Sequence, residues 1–352
     1  MLLSRADAEL GTGEPTVPVQ QPPVRRVGLC IAGRHAEPVA SAESLLRAIP
    51  ANSVETLRPL LPVGYQAGVE AYRAAVADLT VRDLSRHYTD GLGSFRSEFV
   101  PYLKAVMRRL TGGAWDLQDF EAYAAGSDVD FMTHLVEAVA AQEGVSIFPG
   151  DWFGFQSGCT QTDGIHWDTQ GEGRLACLCV PSVRNGHVTE EMASFLESSR
   201  ACLLNINLFP TLRATERHAV AARLEGILDK AVVSISFSRG FGLTASQLGV
   251  VLIHRDHPYR RRFARQWEWF TYFHNALAER AFMALDLSRL EAVDDARRDW
   301  VLAWLQERGL PIVSSGTYYL KAFRLVDGTA GYLDPLNRDG IVRLCFKPPV
   351  FS

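Results

Sequence analysis

No stretch of this 352-residue chain approaches the roughly 20 consecutive apolar residues that cross a bilayer, which argues against a helical membrane span. The opening residues, MLLSRADAELGTGEPTVP, lack the continuous apolar segment of a secretory signal. Charge of neither sign is in excess. Thirty-six Lys and Arg stand against 40 Asp and Glu, a net charge of −4, which gives no electrostatic footing for nucleic acid or an anionic membrane surface. Cysteine is sparse and scattered (Cys30, Cys159, Cys177, Cys179, Cys202, Cys345), so no disulfide framework is expected, and the chain reads as a reduced, cytoplasmic protein. Cys177 and Cys179 lie in an apolar run, RLACLCVP, and read as small buried filler and not as a metal pair. Lysine is scarcest of the charged residues: only Lys104, Lys230, Lys321 and Lys347 occur.

What remains is an ordinary globular composition, 47% apolar and 22% charged, in a length that suits a large domain plus a small one. The chain is organised around 232–251, VVSISFSRGFGLTASQLGVV. Val233, Ile235 and Phe237 alternate with Ser234, Ser236 and Ser238, which predicts a buried strand ending in a serine-rich turn. A glycine-rich bend (Gly240, Gly242) leads to a second apolar run over 248–253. Before it, residues 1–25 read as a mobile arm, and 27–32 as a strand. Helices are predicted over 41–51 and 64–76, and from Phe99 through Leu110. Gly126 and Ser127 form a small-residue turn before a helix, with Asp128 and Asp130 in its first turn. Residues 145–155 give a strand and a turn carrying Trp152 and Phe153. Strands at 174–181 and 201–210 flank a helix capped by Thr189, and an amphipathic helix covers 213–228. Residues 257–286 and 287–308 read as helices, the second ended by Gly309 and Pro311. Strands 316–323 and 340–346 close the chain, and strand–helix alternation of this kind predicts an α/β fold.

The central segment resembles the cofactor-lysine loop of the class I/II aminotransferases, the fold-type I pyridoxal-phosphate enzymes, whose pattern is S-x-S-K-x-x-x-L-x-G-x-R-x-G. Ser236, Ser238, Leu243 and Gly249 match it. Arg239 stands at the lysine position and Gln247 at the phosphate arginine. Tyr88, Gly91, Phe95 and Arg96 follow the family's order for a tyrosine and glycine before a helix. The resemblance implies a mostly parallel seven-stranded-type sheet in a large domain flanked by helices, plus a smaller α+β domain. It divides the chain into an arm (1–25), the first part of the small domain (26–87), the large domain (88–285) and the rest of the small domain (286–352). It also implies site roles. Gly126, Ser127, Ser236 and Ser238 fall at cofactor-binding positions, and Trp152 or Phe153 supplies a ring over the cofactor. Asn205 or Ile206 stands where the family has the aspartate that serves the pyridine nitrogen, and Val183 or Asn185 where it has a turn asparagine. Arg343 falls at the arginine that grips a substrate carboxylate, and Tyr88 at a tyrosine lent to the partner subunit, so a homodimer is implied.

Arginine supplies neither an amine nucleophile nor a base, so Arg239 does not replace the lysine. The expectation is therefore an aminotransferase-fold enzyme on an amino acid or related carboxylate, with no cofactor, or with pyridoxal phosphate held only non-covalently. Its pocket would be lined by Arg239, Tyr88, Trp152, Phe153, Asn205 and Arg343, with a histidine, His166, as acid or base. A non-catalytic binding protein is an alternative. So is a non-haem iron enzyme using His166-x-Asp168 with a third ligand from His187, His218 or His254, although no metal is expected.

Overall fold

The computed structural model describes residues 64–83, 93–125, 127–244, 248–267 and 273–324, and in the last part of the chain 333, 337–338, 340–346 and 348. All belong to one compact unit, Glu37–Ser352. The expectations placed on 1–25, 27–32, 41–51, Tyr88, Gly91, Gly126, Gln247 and Lys347 lie outside the described residues.

Seven strands form one sheet: β1 (Phe120–Ala125), β2 (Val145–Ile147), β3 (Ile165–Trp167), β4 (Leu175–Cys179), β5 (Ala201–Asn205), β6 (Ala231–Ser236) and β7 (Gly249–His254). Their order is β1-β7-β6-β5-β4-β2-β3. From β3 to β6 every pairing is parallel, whereas β7 runs antiparallel to both β6 and β1. The central strands are apolar on both faces, as LACLC and ACLLN show, because helices cover the sheet on each side. Cys177, Cys179 and Cys202 are buried in them as filler.

The helices are α1 (Gln66–Asp78), α2 (Val100–Leu110, entered by a π-helical turn Phe95–Phe99), α3 (Asp128–Ala140) and α4 (Gly154–Ser157). They continue with α5 (Glu190–Ser198), α6 (Ala214–Leu224), α7 (Arg260–Trp267), α8 (Phe273–Met283) and α9 (Leu287–Glu307). Their starts follow the expected cap chemistry. Ser127 Oγ accepts the Val129 N–H at α3, Thr189 Oγ1 that of Met192 at α5, and Asp286 those of Ser288 and Arg289 at α9. The amphipathic segment expected over 213–228 leaves α geometry at Leu224 and ends as a 3₁₀ turn, Glu225–Lys230. The helix expected across 257–286 is described as two, α7 and α8.

A second, antiparallel sheet orders β8 (Leu320–Phe323), β10 (Ile341–Cys345) and β9 (Asn337–Arg338) as β8-β10-β9. It has its own core, in which Trp304, Leu305, Tyr318, Tyr319, Val342 and Phe346 meet. Helix α9 joins the two cores: Leu287, Leu290 and Val293 pack with the large sheet, Val301, Trp304 and Leu305 with the small one.

Candidate functional site

The parallel strands end together on one rim, and ligands of open α/β sheets bind beyond such carboxyl ends. Four turns meet there. After β2, Phe148–Asp151 bends back so that buried Asp151 caps the next strand. Its Oδ1 accepts the Trp152 N–H at 2.6 Å and its Oδ2 the Cys179 N–H at 3.1 Å. Burial lifts this carboxyl to about 6. After β4, the turn 181–186 is tied to the previous one by Arg184, whose Nη1 donates to Pro149 O at 3.0 Å.

After β5 the chain places two asparagines. Asn205 Oδ1 accepts the Asn207 N–H at 3.0 Å, which turns the Asn207 side chain across the rim. Asn207 Nδ2 donates to Asp128 Oδ2 at 3.0 Å, and its Oδ1 accepts the Ser236 N–H at 2.6 Å. One amide thus joins the end of β6 to the start of α3. Ser234 Oγ donates to the same Asp128 oxygen at 3.3 Å. Burial raises the Asp128 carboxyl above its ordinary value, while these hydrogen bonds and the nearby Arg239 guanidinium pull the other way. Ser236 and Ser238 hydroxyls lie 3.0 Å apart where β6 enters the loop bearing Arg239. That loop is backed by Tyr319, whose Oη donates to Arg239 O at 3.5 Å.

From the small sheet, Arg343 on β10 lies opposite Ala322 of β8 and donates from Nη1 to Val183 O at 2.7 Å. It therefore reaches the turn that follows β4. Of the residues expected at the site, Ser127, Ser236, Ser238, Arg239 and Asn205 gather on the rim, the half-buried Trp152 belongs to one of its turns, and Arg343 reaches another from β10. Phe153 does not join them: it is 63% exposed and stacks on Trp167, rings 6.4 Å apart. His166 lies on β3, the outermost strand beyond β2, and is exposed. Asp168 pairs there with Arg174 at 3.0 Å. Among the described residues no group of three His, Cys, Asp or Glu side chains is placed to hold a metal, so the iron alternative finds no third ligand. Three side chains of the rim were not expected there from the sequence: Asp128 beyond its helix cap, Asn207 and Asp151. A cavity of about 370 Å³ lined by Ser97, Glu98, Glu279 and Arg280 lies elsewhere and does not touch these residues.

The sequence matches no protein-family model and no curated protein. Solved structures match most of it. One is N-succinyldiaminopimelate aminotransferase from Mycobacterium tuberculosis, with a TM-score of 0.57 at 16% identity over 88% of this chain and 92% of that one. An aminotransferase from Staphylococcus aureus gives 0.58 at 16% identity over 82% and 89%. The pyridoxal-phosphate-bound C–S lyase from Staphylococcus hominis gives 0.58 at 13% identity over 90% and 91%. The fold is that of the class I/II aminotransferases.

Within the aminotransferase fold the expectation of a cofactor-free site is corrected. Structures of this same fold carry pyridoxal phosphate, including the lyase just named. Loss of the lysine speaks to the covalent tether alone and does not license the step to no cofactor. The tether itself finds no match among the described residues. Lys104 donates to Gln118 O and Phe120 O, Lys230 to Glu197 O and Ser199 O, and Lys321 to Ser315 O and Gly316 O. At the start of α3, where a helix terminus favours an anion, the buried Asp128 carboxyl already sits. Among the described residues none fits a covalently tethered cofactor.

Proposed function

We propose that this chain is an enzyme of the aminotransferase fold that acts on an amino acid or related carboxylate at the rim, with Arg343 as the carboxylate clamp. The observation that carries the reading is the reach of Arg343 from the small sheet to Val183 O. A guanidinium on a strand whose neighbours are Val342, Leu344 and Cys345 is costly to place there unless it meets an acceptor. It has five N–H donors in a fork that matches a carboxylate. The Val183 carbonyl uses one and fixes the direction of the fork.

On this reading the rest of the rim holds and orients. Asp151 locks the turn carrying Trp152, so that the indole flanks the bound molecule. Asn207 fixes the Asp128 carboxyl, and Arg239 keeps the positive charge of the lysine it replaces. On the rim, burial raises the Asp128 carboxyl above its ordinary value and Asp151 to about 6, and either suits acid–base work better than the exposed His166. Two subunits are expected to form the working unit, as a symmetric homodimer that light scattering at micromolar concentration would detect.

Arg343→Lys keeps the charge and loses the fork. A charge-assisted hydrogen bond contributes on the order of 1.5–3 kcal/mol, so affinity for the best ligand of an amino-acid panel should fall roughly ten-fold or more. Calorimetric titration measures it. Melting temperature should hardly move, because lysine can still reach one carbonyl. A sharp drop in melting temperature with affinity intact would make Arg343 a structural residue.

A further inference from the structure

The loop that leads into β8 is fastened to the elements around the large sheet at and beside Gly316. Its carbonyl accepts from Arg298 Nη1 of α9 at 2.7 Å. The other arm of the same guanidinium donates from Nη2 to Thr211 O at 2.7 Å, in the 3₁₀ turn Phe209–Thr211 that follows β5. The Gly316 N–H donates to Glu216 Oε1 of α6 at 2.9 Å. Next to it the Thr211 and Thr317 hydroxyls lie 2.6 Å apart. Thr211 gives its one proton to Leu208 O, so Thr317 is the donor in that pair. Arg298, Thr211 and Thr317 are all buried.

Gly316 also bears on the rim. It has a φ of +78°, and a Cβ there would stand 2.7 Å from Gly186 O and 3.0 Å from the His187 ring. A Cβ on Gly186 would in turn meet Leu320, the first residue of β8, at 3.0 Å. The turn 181–186 is thus seated on the Gly316 loop and the start of β8, and it is the turn whose Val183 O receives Arg343. Arg343 stands opposite Ala322 of β8, and the Phe346 N–H donates to Tyr319 O at 2.7 Å, so β10 is tied to β8 and to the loop before it.

A lysine in place of Arg298 would not hold both carbonyls. A guanidinium presents its donors in a flat fork, so one side chain fixes the separation of two acceptors, whereas an ammonium is a point donor on a flexible stem. Burying the charge is costly unless its donors are met, and the carboxylate paired with it, Asp295, stands 3.8 Å from Nε and is exposed. The two backbone carbonyls therefore carry the guanidinium.

We propose that Arg298 is a positioning residue for the clamp: by holding Gly316 between Thr211 and the 181–186 turn, it sets where the Arg343 fork stands at the rim. The proposal rests on the reading of Arg343 given above.

Hydrogen exchange measured by mass spectrometry on the ligand-free, full-length protein tests it, with the central strand β5 as internal reference for global stability. In Arg298→Lys, exchange at 182–187 should speed up at least about ten-fold relative to β5, the loss expected of one charge-assisted bond. Arg343→Met should loosen the same turn. The double variant should loosen it by clearly less than the product of the two single effects, because both act on one contact. Should Arg298→Lys fail to fold, Thr317→Val, which removes the hydroxyl bond to Thr211 and keeps the shape, takes its place in the same cycle. In calorimetric titration of the protein amino acids, Arg298→Lys should weaken the tightest binder roughly ten-fold, and hardly at all beside Arg343→Met. Equal speeding of 182–187 and β5, no speeding, a double variant that reaches the product, or an affinity loss undiminished beside Arg343→Met overturns the proposal. Binding of no amino acid would fail the reading of the rim, and the exchange cycle, which holds no ligand, would still decide this inference.

Discussion

Phe282→Ala is expected to lower stability by about 3–5 kcal/mol, the range for deleting a fully buried aromatic ring. Phe282 on α8 is wholly buried and is the ring on which the others converge. Its centroid lies 4.8 Å from that of Phe237, 5.0 Å from Phe241, 5.7 Å from Phe99 and 5.6 Å from Tyr102. Three of these contacts are edge-on, the arrangement in which an aromatic pair adds to the area it buries. Alanine removes the ring and leaves a cavity among side chains fixed on α2, on the loop after β6 and on α8. Those elements cannot all collapse into it. Urea unfolding should show the loss as a lower midpoint with little change in slope. Phe237 and Phe241 bracket Arg239 in sequence, so the variant should also expose the loop to proteolysis before the sheet opens. A loss below about 1 kcal/mol would mean the site repacks, contrary to a cluster pinned on three elements.

The parts of this protein legible in its sequence are those written in local rhythm. Val233, Ile235 and Phe237 alternating with serines gave strand β6 and its serine turn, and both are found there. The resemblance puts Arg343 at a carboxylate-gripping position, and the structure brings its Nη1 to Val183 O. What stayed hidden depends on partners far apart in the chain. Asn207 meets Asp128 across 79 residues, and Tyr65 meets Asp294 across 229. No periodicity announces such pairs. Asp128 was legible as a helix-start residue, but that its carboxyl turns inward onto Asn207 is a property of the assembled rim. Phe153 and Trp152 are neighbours in one turn, and only the fold decides that one is half-buried and the other faces solvent. His166 drew attention through its spacing to Asp168, but it falls on the outermost strand, which a stretch as short as Ile165–Trp167 did not reveal. The cofactor inference failed for a different reason: the joint loss of the lysine at Arg239, the phosphate arginine at Gln247 and the aspartate at Asn205 or Ile206 was taken to empty the whole cradle, whereas structures of the same fold carry pyridoxal phosphate.

Gly249→Ala is expected to be as severe in effect though it adds a single methyl group. Gly249 opens β7, between Ser236 of β6 and Ala125 of β1, and matches the last glycine of the aminotransferase loop pattern. Its backbone needs no left-handed conformation. The constraint is space: a Cβ there would overlap the backbone of Ser127 and Asp128, at the first turn of α3. Backbone on both sides leaves no flexible side chain to yield, so either β7 or the start of α3 must shift. Overpacking of this kind costs typically about 1–3 kcal/mol and more where backbone is displaced. The shift falls on the rim, because Asp128 carries the carboxyl that Asn207 and Ser234 hold. Moving it by even half an ångström lengthens both bonds and strands a buried carboxyl. Gly226→Ala is the matched control, since nothing lies near a Cβ at that exposed position. Thermal and urea unfolding of the two variants should separate them by at least about 1–3 kcal/mol. Hydrogen exchange at Val129–Phe131, the first turn of α3, should speed up in Gly249→Ala alone. Equal stability of the two variants would show that α3 and β7 are not in contact at this glycine, and with it the Asp128–Asn207 bridge across the rim would lose its footing.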